Sequence, residues 1–301
     1  MHDTKTLSFP CPPRSPRLAP LAALSRAVAQ ALALGLSLGL SPAQAHDTWF
    51  EPLPAVKPAT LRLALGTGDR FPVQEFRVGM EQLQRSGCRA ADGRTMALQH
   101  AMDLPHALVV EVALDAATSA PATCWAQTQP HDIELPASKV AVYLQEIQAP
   151  PAVQEAWPAH QREGQPWVER HSKNARIELG AAASGATAPR SATGLSLDAL
   201  LEVPPQGPQG TGQATARAGD RLRFQVLSDG APLPGLAVEL RSERSAVGLW
   251  RRTDSQGRVD IQLPWGGRWV LRGTDLHPPS AERAHWESRF VPLAFDPGER
   301  P

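Results

Sequence analysis

Apolar and polar residues alternate most regularly towards the carboxy end of the chain. Leu222, Phe224 and Val226 alternate with Arg223 and Gln225; the turn Ala231-Pro232-Leu233-Pro234-Gly235 follows, and Val238 and Leu240 resume the pattern. Val259, Ile261 and Leu263 then alternate with Asp260 and Gln262. A period of two predicts half-buried strands. Thr253-Asp254-Ser255-Gln256-Gly257-Arg258 reads as a hairpin loop in which Gly257 takes a positive φ. After Gly266-Gly267 come Trp269-Val270-Leu271, and Phe290, Val291, Leu293 and Phe295 close the pattern. Short strands at this spacing, apolar on one face, predict a β-sandwich of immunoglobulin-like or transthyretin-like character over residues 214–296.

The first half of the chain carries the same signal less evenly. Leu61, Leu63 and Leu65 alternate with Arg62 and Ala64 until Gly66-Thr67-Gly68-Asp69 breaks the run. Ala107–Leu114 predicts a more fully buried strand, and Ile133-Glu134-Leu135-Pro136 ends another element. One helix is expected near residues 138–148, where Val140, Tyr143, Leu144 and Ile147 recur at helical spacing. Pro136 precedes it and Pro150-Pro151 stops it. Residues 166–179 are too poorly periodic to assign. Residues 180–213 have the Gly, Ala, Ser, Thr and Pro content of a flexible linker, with only Leu195–Val203 able to pack.

The expected fold is therefore mainly β. It comprises a β-rich domain over 46–179, the linker, and the carboxy-terminal sandwich over 214–296, with one or two short helices between two sandwich-like domains. Proline, 30 of 301 residues, is about twice as frequent as the usual ~5%, which favours short strands joined by turns over long helices.

Residues 1–45 read differently. Arg14, Arg17 and Arg26 lead into an apolar run over 28–40, and Ala43-Gln44-Ala45 supplies the small residues of a signal-peptidase site. The run is shorter than the ~20 apolar residues that cross a bilayer. A cleaved secretory signal, a mature chain beginning at His46 without a membrane span, and a periplasmic location are expected.

Without the leader's Lys5, Arg14, Arg17, Arg26 and Asp3, 26 basic and 29 acidic residues remain, a net charge of −3. That balance gives nucleic acid no clustered positive charge to bind. Cys11 leaves with the leader. Cys88 and Cys124 are then expected to form one disulfide in an oxidising compartment, closing a loop of about 37 residues. The chain-entropy model assigns such a loop roughly 3–4 kcal/mol.

Catalytic signatures do not stand out. No nucleophile elbow, phosphate-cradling loop or dinucleotide fingerprint occurs in the setting it requires, so no enzyme is expected. The mature amino terminus offers metal chemistry instead. His46 would present a free α-amine (reference pKa about 7.7–8.0) and an imidazole (about 6.5), which together chelate one ion through Nδ1, with Asp47 adding a carboxylate. Such ligands suit divalent nickel, copper or zinc. His131, beside Asp132, and the pair His277 and His285 are further candidate ligands from loops. A rival reading is a structural or ligand-binding module whose sandwich recognises a glycan or a partner protein, with Trp265, Trp269 and Trp286 as candidate stacking rings, Trp269 expected in the core and Trp265, at a turn, the exposed one. The two readings separate on whether histidines converge on His46 or exposed tryptophans line a groove.

Several segments resemble one secreted bacterial family, domain of unknown function 4198, whose members are described as periplasmic components of cobalt or nickel transport. The resemblance is carried by His46-Asp47-Thr48-Trp49-Phe50-Glu51-Pro52, Val142-Tyr143-Leu144-Gln145-Glu146 and Glu169-Arg170-His171-Ser172-Lys173. It continues through Leu201-Glu202-Val203-Pro204 and Gly235 to Trp286, including Gly267-Arg268-Trp269. His171 departs from the pattern, since the family usually carries an aromatic residue there. The resemblance implies a role beside a nickel or cobalt uptake transporter, and names no mechanism.

Overall fold

The computed structural model describes residues 46–90, 92–114, 121–179, 191–202 and 217–297. The expected signal peptide lies outside them. The described residues belong to one compact unit.

The first strands are β1 (Asp47–Leu53), β2 (Thr60–Gly68), β3 (Phe76–Arg77), β4 (Leu83–Ala90) and β5 (Thr95–Met96). Then come β6 (Gln99–Asp103), β7 (Leu108–Ala113), β8 (Pro121–Thr128) and β9 (His131–Leu135). Helices α1 (Ala137–Glu146) and α2 (Pro151–Arg162) precede the twelve-residue strand β10 (Trp167–Glu178). The rest of the chain is β11 (Leu197–Glu202), β12 (Arg221–Ser228), β13 (Ala231–Pro232), β14 (Ala237–Ser242) and β15 (Ser245–Arg252). It ends with β16 (Arg258–Gln262), β17 (Trp269–His277), β18 (Trp286–Phe290) and β19 (Leu293–Phe295).

A ten-stranded sheet runs β15-β14-β17-β18-β10-β8-β4-β5, with β9 and β19 attached to β10. It is the shared wall of the molecule. The sheet of β1, β2, β3, β6 and β7 is packed on it through Phe50, Leu63, Leu65, Leu108 and Val110, which meet Ala126, Ala175 and Ile177. The sheet of β11, β12, β13 and β16 is packed on it through Leu222, Phe224, Val226 and Ile261, which meet Val238, Leu240, Trp269 and Phe295. Both cores exclude water from apolar faces, the main favourable term in folding. The fold is mainly β and sandwich-like, as the alternation predicts. The expected division near residue 214 does not interrupt the shared sheet: β10 pairs in parallel with β18 and β19, joining strands from both halves.

Of the expected linker, residues 180–190 and 203–213 lie outside the described residues. Residues 191–202 are packed: β11 pairs with β12, and Leu197, Ala199 and Leu201 are buried. Proline explains a second difference. Pro150-Pro151 ends the first helix, but Pro151 also opens another, because a proline at the first helical position gives up no intrahelical hydrogen bond. Val153 and Trp157, four residues apart, then join Val140, Tyr143 and Leu144 of α1 over Trp167, Trp286 and Phe290. Trp167 and Trp286 stack with ring centres 4.0 Å apart, a geometry that adds ~0.5–1.5 kcal/mol beyond area burial.

Cys88 and Cys124 are bonded, facing each other across β4 and β8 with Cα atoms 4.0 Å apart. Gly257 takes its expected positive φ (68°), and Asp254 Oδ1 accepts the Gln256 and Arg258 backbone N–H groups of the hairpin loop.

Candidate metal centre

The antiparallel ladder of β1 and β2 sets Asp47 opposite Gly68. One step beyond, the same register brings His46 to Asp69. His46 Nε2 lies 2.8 Å from Asp69 Oδ1, within ion-pair distance. The two atoms are nonetheless not aligned for a hydrogen bond, and Oδ1 is shut off from water with no hydrogen-bond partner. Two ligands about 2.0–2.1 Å from one ion and at right angles stand ~2.9 Å apart. The pair therefore sits at the spacing of neighbouring metal ligands.

Glu75 is brought in by the return of the chain. Its N–H donates to Thr67 O (2.8 Å), and its Oε2 accepts from the Asp69 N–H (3.2 Å). The returning segment lies close against β2 because Gly68 has no side chain; a Cβ there would stand 2.3 Å from Val73 O. Gln74 Nε2 pins the segment to Trp49 O (2.9 Å), and His106 Nδ1 donates to Glu75 O (2.8 Å). Ligand atoms of His46, Asp69 and Glu75 all fall within 4.8 Å of one another.

The electrostatics favour a cation. Burial pushes the Asp69 carboxyl above its ordinary range; His46 opposes the shift, while the charges of Glu75 and Asp47 add to it. Arg70 acts on Asp69 in the same direction as His46, and Lys173 Nζ donates to His46 O at 2.9 Å. Burial pulls the Lys173 ammonium down to about 8, with Asp47, Asp69 and Glu169 holding its charge. A cleft of about 750 Å³ is lined by His46, Phe76, Arg77, His131, His171 and Lys173, among others.

The expected ligands are not all in this place. His46 and His131 line the cleft; His277 and His285 do not. His277 Nε2 pairs with Asp275 at 3.0 Å, and the charge of His285 is felt by Asp132, whose carboxylate is held by Arg170 at 2.7 and 2.8 Å. Asp47 adjoins His46 but turns the other way, since successive residues of a strand face opposite sides. Its Oδ2 accepts from Arg272 (2.6 Å), which also donates to Glu239 (2.7 Å), so the carboxylate is committed to a buried ion pair. His46 presents Nε2 to Asp69, whereas a ring closed with the α-amine would use Nδ1. Sequence reasoning missed Asp69 and Glu75, for which the only signal is strand register.

Six of the eight tryptophans are buried, and Trp250 and Trp265 are half-buried. Trp265 stacks on Trp269, with ring centres 5.5 Å apart, and donates Nε1–H to Ser242. No groove lined by exposed tryptophans is present among the described residues.

Fold and site together define a disulfide-bonded, mainly β protein with a histidine-carboxylate cluster at the start of its first strand. The chain belongs to the family described as Domain of unknown function (DUF4198), whose model matches residues 43–274. No curated protein matches. Among solved structures, a tetra-tandem repeat from the extending region of a large adhesion protein matches at 8% identity with a TM-score of 0.19. That match covers 83% of this chain and 49% of the repeat structure, so the chain spans about half its length.

Proposed function

We propose that this chain is an exported, non-catalytic protein that binds a divalent transition metal, nickel, cobalt or copper, and assists its uptake. The observation that carries the reading is the convergence of His46, Asp69 and Glu75, with an Asp69 oxygen left without a hydrogen-bond partner. One imidazole and two carboxylates suit borderline divalent ions better than a soft monovalent one. Burial chiefly holds the Asp69 carboxyl up and the charges of Glu75 and Asp47 add to it, so a cation placed there offsets the repulsion among the three carboxylates. The disulfide supports an oxidising compartment, as the leader pattern does. No described helix is long and apolar enough to cross a membrane. The family resemblance supplies the uptake role and a transporter as partner.

Calorimetric titration of the chain beginning at His46 with Ni(II), Co(II) and Cu(II) tests this. His46→Ala, Asp69→Asn and Glu75→Gln should each weaken binding tenfold or more, and His160→Ala should leave it unchanged. Parent-like affinity in all three cluster variants would overturn the reading.

A further inference from the structure

Across the cleft, β9 and β10 pair in a register that sets His131 directly opposite His171. Directly opposed residues project from the same face of a sheet. The two imidazoles meet edge to face, with ring centres 5.7 Å apart and planes at 79°, and both line the cleft. We propose that His131 and His171 form a second, all-imidazole site that holds one cuprous ion at the cleft wall. This goes beyond the cluster at His46 and uses none of its ligands.

Geometry permits it. With metal–nitrogen bonds of about 2.0 Å and ~1.1 Å from ring centre to nitrogen, two imidazoles on one ion have centres at most ~6.2 Å apart. The observed 5.7 Å lies inside that reach. His171 Nδ1 is closed to solvent and has no hydrogen-bond partner, a condition that a buried ring nitrogen rarely keeps without a ligand or water.

The surroundings select the charge of the ion. Lys173 stands two residues along the same strand, hence on the same face, and repels any cation; a monovalent ion meets half the repulsion of a divalent one. Asp132 offsets it only in part, its carboxylate being held by Arg170. Glu81 also lines the cleft, as do the apolar side chains of Phe76, Val78 and Ile133. Phe290 stands edge-on to His171, with ring centres 6.3 Å apart. Two imidazole nitrogens in a partly apolar wall suit an ion that carries little charge and accepts two ligands. Imidazole is a suitable copper ligand.

The test is anaerobic titration of the chain beginning at His46 with Cu(I) against a chromogenic chelator, run beside Ni(II) calorimetry. His131→Ala and His171→Phe should weaken Cu(I) binding tenfold or more and leave Ni(II) affinity within twofold. Asp69→Asn should do the reverse. X-ray absorption of the Cu(I)-loaded parent should show two short nitrogen bonds. His131 is exposed, so its replacement does not threaten the fold and decides the matter if His171→Phe is unstable. Cu(I) affinity within twofold of the parent in His131→Ala would overturn the proposal. An equal loss in Asp69→Asn would overturn it too, by showing one site where two are claimed. A failure of Ni(II) binding alone would count against the cluster at His46 and leave this site standing.

Discussion

Two carboxylates, Glu169 and Asp69, are both pushed above the ordinary carboxylate range by burial, yet their surroundings differ. Glu169 lies beneath α1 and is only 1% exposed. It accepts from Tyr143 Oη–H (3.0 Å), Trp167 Nε1–H (2.9 Å) and, more closely still, Ser288 Oγ–H. Asp69 stands at the end of a strand, beside His46 of the cleft, with one oxygen that accepts no hydrogen bond. Burial alone therefore does not mark a functional carboxylate. A buried acid with all its donors in place ties elements together, whereas one with an orphaned oxygen and a second ligand 2.8 Å away is prepared for something external.

The strongest way to break this comparison is at Glu169. Glu169→Ala would leave the Tyr143, Trp167 and Ser288 donors unsatisfied under the helices. We expect a loss of about 3–5 kcal/mol in urea unfolding, the range for breaking a buried polar network. Ni(II) affinity should stay within twofold. A stability loss below ~1 kcal/mol would show that water replaces the carboxylate and that its role is not structural.

His171 carries an orphaned nitrogen like the oxygen of Asp69, and its effect on stability should depend on pH. Its folded value of about 4 lies below the ordinary 6.5. Between those values the unfolded chain binds a proton that the native chain refuses, so stability is lost as pH falls from 6.5 towards 4. The gap sets an upper bound of ~3 kcal/mol, nearer ~2 after allowing for partial exposure. His171→Phe should remove this component. Unfolding free energies of parent and variant at pH 7 and pH 4.5 measure it, and parallel losses in both proteins would refute the assignment.

Much of the fold was legible in the sequence, and the reason is visible in particular strands. Leu222, Phe224 and Val226 are buried while Arg221 and Arg223 face solvent, so period two survives wherever one face of a sheet is wet. β10 hid itself for the opposite reason. It runs through the middle of the long sheet, and Glu169, Asn174, Arg176 and Glu178 are all buried along it. Arg176 is neutralised by Glu178 and Asp198, whose oxygens lie 2.7 and 2.9 Å from it. Those polar letters read as surface, and the alternation disappears. The site was half legible. His46 could be found from its position after the small-residue motif, but its partners arrive from 23 and 29 residues downstream through pairing register, which no local pattern encodes.

Asp69→Asn sharpens the comparison from its other side. The amide keeps the size of the carboxylate and removes its charge, so stability should change by less than ~1 kcal/mol, unlike the loss at Glu169. Ni(II) affinity should fall tenfold or more, a change of about 1.4 kcal/mol or greater. Calorimetry read beside thermal unfolding separates the two quantities. Because burial raises the Asp69 carboxyl, protons should begin to compete with the metal at a higher pH than for an ordinary aspartate.

The smallest expected effect concerns the amino terminus and discriminates between two ways of using His46. A chelate built from the α-amine and Nδ1 would be destroyed by one extra alanine before His46, because the amine would become an amide. The structure presents Nε2 to Asp69 instead, and Lys173 holds the His46 carbonyl, so the ring is positioned by the strand and not by the free end. Adding the alanine should therefore change Ni(II) affinity by less than twofold, while His46→Ala still costs tenfold or more. If the extended protein binds tenfold more weakly than the processed one, the α-amine is a ligand. The imidazole must then turn its other nitrogen to the metal, and Asp69 would lose the role that sets it apart from Glu169.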